Sequence, residues 1–212
     1  MNKYIVPSIL SLLFITILAM VVLHYPPLEN IDQMISNKIS AIQDPLSTSV
    51  FKAITNIGGS LSAIIIGGVI LTVLFLKRRR VDIAIVVVTM FLDLGLVELI
   101  KHLIERGRPI SSVLQETGWS FPSGHASFAG LMMILISSLF ISQYKNTGRV
   151  VMQTLIIVIA LGIAYSRIYL EVHWVSDVVA GMLLGISIAL FTINVLRKLS
   201  SGSQKTIEEQ TR

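Results

Sequence analysis

Three short polar stretches interrupt an otherwise apolar chain of 212 residues, and each carries side chains able to handle an anion. The first is KHLIERGRP, from Lys101 to Pro109, the second PSGH, from Pro122 to His125, and the third SRIYLEVHWVSD, from Ser166 to Asp177. Lys101, Arg108 and Arg167 repel one another when gathered unless something anionic lies between them. Guanidinium forks match phosphate oxygens in bidentate fashion while a lysine adds a point charge, so this mixture suits a phosphoryl group better than a carboxylate. For any one of them alone, lipid-headgroup binding or snorkelling is the plainer reading.

Pro122 can open a helix, which puts Ser123 and Gly124 in a first turn whose N–H groups lack intrahelical partners. Such a terminus attracts anions. Glycine allows close approach to the backbone, the serine hydroxyl adds a donor, and His125 stands one position further in. Taken alone the same start is a simple cap; opposite a cationic cluster it reads as an anion site. His173 and Asp177 are four residues apart where another apolar run begins, so on a helix they share a face, with the carboxylate in reach of one imidazole nitrogen. That partner fixes the tautomer and leaves the other nitrogen able to attack phosphorus. Two other readings stand beside it: a polar pair stabilising the helix end, and a metal site built from His125, His173 and Asp177. Surrounding cations disfavour the metal, since they repel a second positive centre.

The elements that must position these residues follow from composition. The chain is 53% hydrophobic and 14% charged, with a positive mean hydropathy, which places it among membrane proteins. Six apolar runs, about 4–23, 57–76, 81–100, 124–143, 150–169 and 175–196, approach or exceed the roughly 20 residues a helix needs to cross a bilayer. Continuous rather than alternating apolarity excludes a barrel, so the expected fold is all-α, a six-helix transmembrane bundle over residues 1–199. With no cysteine there is no thiolate nucleophile and no disulfide. The net charge of +5 arises from Lys and Arg flanking the spans, which indicates orientation and anionic lipid rather than nucleic acid.

Lys3, Lys77 to Arg80, Lys145, Arg149, Arg197, Lys198, Lys205 and Arg212 fall on one side, which predicts cytoplasmic termini and puts all three polar stretches on the extracytoplasmic side. Leu28, Ile31, Met34, Ile35, Ile39 and Ile42 recur at helical intervals and predict an amphipathic surface helix over about 28–45. The polar residues 200–212 predict a disordered tail. Asp93, mid-span, is expected to make a neutral or hydrogen-bonded interhelical contact, and Glu98 and Glu105 to balance Lys101. His102 and Arg106 belong to no motif and are read as supporting or solvated groups. Gly181 and Gly185, in GMLLG, form a small-xxx-small face for bundle packing, with a homodimer seam as the alternative.

Written as patterns, the stretches are K-x6-R-P, P-S-G-H and S-R-x5-H-x3-D, and in this order they resemble the type 2 phosphatidic acid phosphatase family over about residues 55–197. The resemblance implies a six-helix membrane phosphatase that works without metal or other cofactor and passes through a phosphohistidine. It assigns His173 as nucleophile, Asp177 as its orienting partner and His125 as general acid, with Lys101, Arg108, Ser123, Gly124 and Arg167 holding the phosphoryl oxygens. Ser166 and Pro109 would shape the site. Soluble haloperoxidases share the motifs, but six spans argue against that branch. A site opening where the outer leaflet meets water, under short connections, favours a lipid phosphate drawn from a bacterial cell membrane. Phosphatidylglycerophosphate leads as the expected substrate, followed by undecaprenyl diphosphate; a phosphate or lipid transporter is the alternative of another class.

Overall fold

The computed structural model describes residues 3–210, which are helical apart from short connections and one long loop over 105–123. The helices are α1 (Ile5–Val22), α2 (Pro26–Ile42), α3 (Pro45–Ile57), α4 (Ser60–Leu76), α5 (Arg80–Ile104), α6 (Gly124–Leu139), α7 (Asn146–Tyr169) and α8 (Val175–Gln210). A 3-10 turn at Ile141–Gln143 prolongs α6. Five segments are long and apolar enough to cross a bilayer, and α3 with α4, bent by 44°, makes a sixth when the pair is taken as one span. Exposed Leu12, Ile64 and Leu155, on α1, α4 and α7, belong to the apolar girdle that lipid would cover.

α6 is the central helix. Leu131, Leu135 and Leu139 pack against Ile70 and Leu74 of α4, Ile85 and Val86 of α5, and Ala189 and Ile193 of α8. Lipid tails are as apolar as these side chains, so close van der Waals fit rather than exclusion from water holds the helices together. Glycine supplies that fit where α8 crosses α6. A Cβ at Gly181 would strike the Ser123 carbonyl oxygen, and one at Gly185 would strike that of Ser127. The GMLLG face is therefore filled within the chain, as bundle packing requires. One turn above, Ser127 donates to the Asp93 carboxylate and ties α6 to α5, the interhelical hydrogen bond expected of a buried mid-span acid.

Among the described residues, Lys3, Arg79 and Arg197, three of the cations expected to share a side, lie at one end. Lys3 donates to the Asn194 carbonyl (3.4 Å), Arg79 donates to that of Leu139 (2.8 Å), and Arg197 lies 3.9 Å from Asp82. The three polar stretches lie at the opposite end, at the finish of α5 and α7 and the start of α6 and α8.

Two expectations differ from the observed elements. The surface helix expected over about 28–45 is α2, and a further helix follows it directly because Pro45 opens α3 and Asp44 accepts from Leu46 N (2.9 Å) and Ser47 N (3.0 Å); the expected helix differs in its faces. Its inward face is more polar than the pattern implied. Asp32 and Ser36 are buried beside Ile39, while Ile31, Met34 and Ile42 are exposed. Across residues 200–212, where composition predicts a disordered tail, α8 continues to Gln210; an apolar helix already nucleated extends readily through Lys, Glu and Gln, which are good helix formers. Residues 211–212 lie outside the described residues.

Candidate active site

α7 ends at Tyr169, and a tight connection, residues 170–174, carries the chain into α8. Glu171 turns it through a left-handed conformation (φ 52°), which costs a non-glycine residue roughly 1–2 kcal/mol and needs support from its surroundings. That support is visible. The buried Glu171 carboxylate accepts from Ser36 (2.6 Å), Ser40 (2.8 Å), Gln43 (3.3 Å) and Ser111 (2.7 Å), so α2 and the α5–α6 loop both hold the connection.

His173 sits in this connection, two residues before α8, rather than on the helix the i,i+4 spacing predicted; Asp177 is in the first helical turn. The pair nevertheless forms. His173 Nδ1 lies 3.5 Å from Asp177 Oδ2 and, buried, has no other partner. Asp177 Oδ2 also accepts from the Trp174 N–H (3.0 Å), a carboxylate in the first turn reaching back to the residue before the helix. The other imidazole nitrogen, Nε2, lies 3.3 Å from Arg108 Nη1. Burial, reinforced by Arg167 and Arg108 and opposed by Asp177, holds the imidazole below its ordinary pKa and therefore neutral.

Arg108 and Arg167 converge on one carboxylate. Arg167 is fully buried, donates to Thr55 Oγ1 (2.8 Å) and to Glu116, and leaves its Nε without a partner. Arg108 donates to the carbonyls of Val172 (2.6 Å) and Gly118 (3.1 Å), and its Nη2 lies 3.6 Å from Glu116. Burial alone would raise the Glu116 pKa, but Arg167, Arg108 and His125 outweigh it and keep the carboxyl ionised. Two guanidinium groups thus close on one carboxylate beside an imidazole nitrogen, an arrangement suited to an oxyanion.

The PSGH segment starts α6 two residues later than a helix opened by Pro122. Pro122 precedes the cap, Ser123 is the cap, accepting from Ala126 N (3.5 Å), and Gly124 is the first helical residue. The reason is local: Ser123 N donates to the Asp177 carbonyl (3.0 Å), which pins the chain to α8 before the helix begins. His125 follows on the first turn, its ring against the Gly58–Gly59 bend, where a Cβ on Gly58 would come within 3.2 Å of His125 Cδ2. Lys101 is one turn beyond Val97, the residue facing Gly124, and pairs with Glu98 (3.4 Å). Glu105 does not join that pair; it ends α5 in a left-handed turn. Ser166 spends its hydroxyl on the Ile163 carbonyl (2.6 Å), and Pro109 is buried.

Four contributors were not singled out as site residues in the sequence. Glu116 and Thr55 orient Arg167, and Arg106 joins Asp177 to Asp32. Arg106 had been read as a supporting or solvated group, and Glu116 left a trace as a lone acid between the first two polar stretches. As for the metal alternative, among the described residues no group of three or more His, Asp or Glu side chains is placed to hold a metal ion.

An anion clamp and a carboxylate-backed histidine stand at one end of a multi-span helical bundle, the class of an integral-membrane enzyme acting on an anion. The PAP2 superfamily profile matches residues 82–201, more than half of the chain, and the chain belongs to that superfamily. It is 29% identical over 200 residues to phosphatidylglycerophosphatase B of Bacillus subtilis (strain 168), covering 91% of this chain and 96% of that protein. It is 32% identical over 146 residues to an undecaprenyl-diphosphatase of Sulfolobus acidocaldarius, covering 66% and 65% of the two chains. The crystal structure of a transmembrane PAP2 type phosphatidylglycerolphosphate phosphatase from Bacillus subtilis superposes with a TM-score of 0.83 at 27% identity, over 93% of this chain and 98% of that one. Aquifex aeolicus LpxE shares the fold, with a TM-score of 0.62 at 22% identity over 76% of this chain and 94% of that one. Family membership decides for a phosphatase over a transporter.

Proposed function

We propose that this phosphatase hydrolyses phosphatidylglycerophosphate to phosphatidylglycerol and phosphate at the extracytoplasmic face of a bacterial cell membrane, through a phosphohistidine on His173. The observation that carries the chemistry is the convergence of Arg108 and Arg167 on one anion beside His173 Nε2. A phosphoryl group takes the place of the Glu116 carboxylate, with the free Nε of Arg167, the N–H groups opening α6, Ser123, Gly124 and Lys101 meeting its oxygens.

The Nε2 lone pair forms a bond to phosphorus as the bond to the lipid oxygen breaks, and His125 gives its proton to the leaving alkoxide. His125 then takes a proton from water, whose oxygen attacks phosphorus and releases His173 and inorganic phosphate. Similarity along nearly the whole chain to phosphatidylglycerophosphate phosphatases supports the substrate, and the cation-rich opposite end supports cytoplasmic termini. Undecaprenyl diphosphate is the second reading, favoured by the Sulfolobus relative.

Purified protein in detergent is assayed for phosphate release from phosphatidylglycerophosphate, undecaprenyl diphosphate and phosphatidic acid, beside His173→Ala. The highest kcat/KM is expected on phosphatidylglycerophosphate, with no turnover by the variant. Preference for undecaprenyl diphosphate replaces the substrate, and a fully active His173→Ala removes the mechanism.

A further inference from the structure

Arg106 lies two residues before Arg108, yet it faces the other side of the catalytic connection. Its Nη1 donates to Asp177 Oδ1 (2.5 Å) and to Ser176 Oγ (2.7 Å), and its Nη2 donates to Asp32 Oδ2 (2.7 Å). The guanidinium also lies 5.8 Å from the ring centre of Trp174. Both terminal nitrogens are thus engaged by carboxylates, and Arg106 has no fork left for a phosphoryl group.

Asp32 is committed as fully. It is buried on α2, its Oδ1 accepts from Ser176 N (2.9 Å), and its Oδ2 accepts from Ser176 Oγ (2.5 Å) as well as from Arg106. Asp177 therefore has one oxygen for Arg106 and the other for His173 Nδ1 and the Trp174 N–H. Without Arg106 that carboxylate would be free to rotate between its neighbours; without Asp32 the guanidinium would lose its second anchor and swing into the groove beside it, a cavity of about 550 Å³ lined by His24, Glu29 and Trp174.

Charge gives the arrangement a direction. On the Nδ1 side of a neutral His173 two carboxylates face the Arg106 guanidinium, while Arg108 stands at Nε2. Attack on phosphorus turns that imidazole into a cation, which the Asp177 carboxylate at Nδ1 stabilises as the N–P bond forms. In a buried site such a preset field acts on the transition state more than on the bound substrate.

We propose that Arg106 and Asp32 are positioning residues for phosphoryl transfer: Arg106 locks Asp177 in the rotamer that orients His173, and Asp32 of α2 locks Arg106. The proposal rests on His173 being the nucleophile. It makes α2 part of the catalytic scaffold, with its polar face turned inward for that reason.

The test is a double-mutant cycle in detergent, on whichever of the three lipid phosphates wild type turns over fastest. Arg106→Gln is expected to lower kcat by about 10²-fold, the scale of a small misplacement at the reacting centre, with little change in KM. Asp32→Asn should lower kcat less. In an Asp177→Asn background Arg106→Gln should add little, because its effect passes through that carboxylate. Should Arg106→Gln fail to give folded protein by gel filtration, the isosteric Asp32→Asn carries the same cycle. Losses that multiply in the double variant, or a loss confined to KM, would overturn the proposal. Full turnover by His173→Ala would instead remove the nucleophile on which it rests, so the two failures are distinguishable.

Discussion

Arg108 Nη1 and His173 Nε2 stand 3.3 Å apart, so the nitrogen that would attack phosphorus shares its environment with a cation that would bind the same phosphoryl group. Burial is the largest cause holding His173 below its ordinary value of 6.5, with Arg167 and then Arg108 adding to it, while Asp177 acts the other way. A neutral imidazole is the attacking form. Activity should therefore persist below pH 6.5 and be lost only as pH falls through the lowered folded-state value. The same shift makes the folded state less stable in acid: below 6.5 the unfolded chain takes up a proton that buried His173 refuses. Asp177→Asn deletes the raising influence and should move the midpoint lower still. Nitrogen-15 histidine NMR in detergent, with the signal assigned by its loss in His173→Gln, reads both; a wild-type midpoint above 6.5 or an upward move in Asp177→Asn contradicts the argument.

His125 occupies the first turn of α6, at the end of the bundle where His173 precedes α8. As the acid that protonates a lipid alkoxide it should be worth about 10²–10⁴-fold in rate, and His125→Gln should lose that much on a lipid phosphate. An activated aryl ester such as para-nitrophenyl phosphate needs no such proton. On that substrate the variant should release one equivalent of nitrophenol rapidly and then stall, because the phosphoenzyme still lacks a base for water. Stopped-flow absorbance reads the burst, and equal losses on both substrates with no burst would remove His125 from proton transfer.

Metal removal separates the two chemistries that a pair of histidines and an aspartate can support. Asp177 has both oxygens engaged, one by Arg106 and the other by the Trp174 N–H and His173, and two guanidinium groups stand beside the imidazole. Phosphate release in EDTA should equal that without it. A loss of activity restored by a divalent cation would require a different assignment of these side chains.

The candidate residues Lys101, Arg108, Ser123, His125, Arg167 and His173 were legible in the sequence as patterns whose chemistry is their own, and of these the fold sets Arg108 beside His173 and Arg167 on the carboxylate that Arg108 also approaches. The residues that hold them were not. Arg106 reads as one more cation in a basic stretch until Asp32, from a helix far away in the chain, is seen to meet it, and nothing local in LENIDQMISNKIS marks Asp32 or Ser36 as buried. Hydrophobic periodicity assumes that a polar face seeks water; α2 violates it because Arg106, Ser176 and Glu171 offer its polar face better partners. The Asp44–Pro45 break lies within reach of local rules, since a cap followed by proline starts a helix. The length of α8 beyond residue 200 does not, because polarity alone fails to distinguish a solvated helix from a tail.

Gly185 gives the most direct test of how the bundle sets the site. Its Cα meets the Ser127 carbonyl so closely that a Cβ would collide with it, and would also approach Leu131 N to 3.1 Å. The obstacle is backbone, so α8 and α6 would have to separate to accommodate Gly185→Ala. That shift travels along α6 toward Ser123, whose N–H holds the Asp177 carbonyl at 3.0 Å, and so alters the approach of His125 to His173. Overpacking of this kind destabilises by about 1–3 kcal/mol, and turnover should fall with it. Gly68, on the exposed side of α4, where an added methyl group would meet nothing within 4 Å, is the matched control. There Gly68→Ala should be neutral or slightly stabilising, because alanine is the better helix former by about 1 kcal/mol. Thermal unfolding in detergent, paired with turnover, compares the two variants; a Gly185→Ala protein as stable and active as Gly68→Ala would mean that the α6–α8 seam does not govern the geometry of the catalytic end.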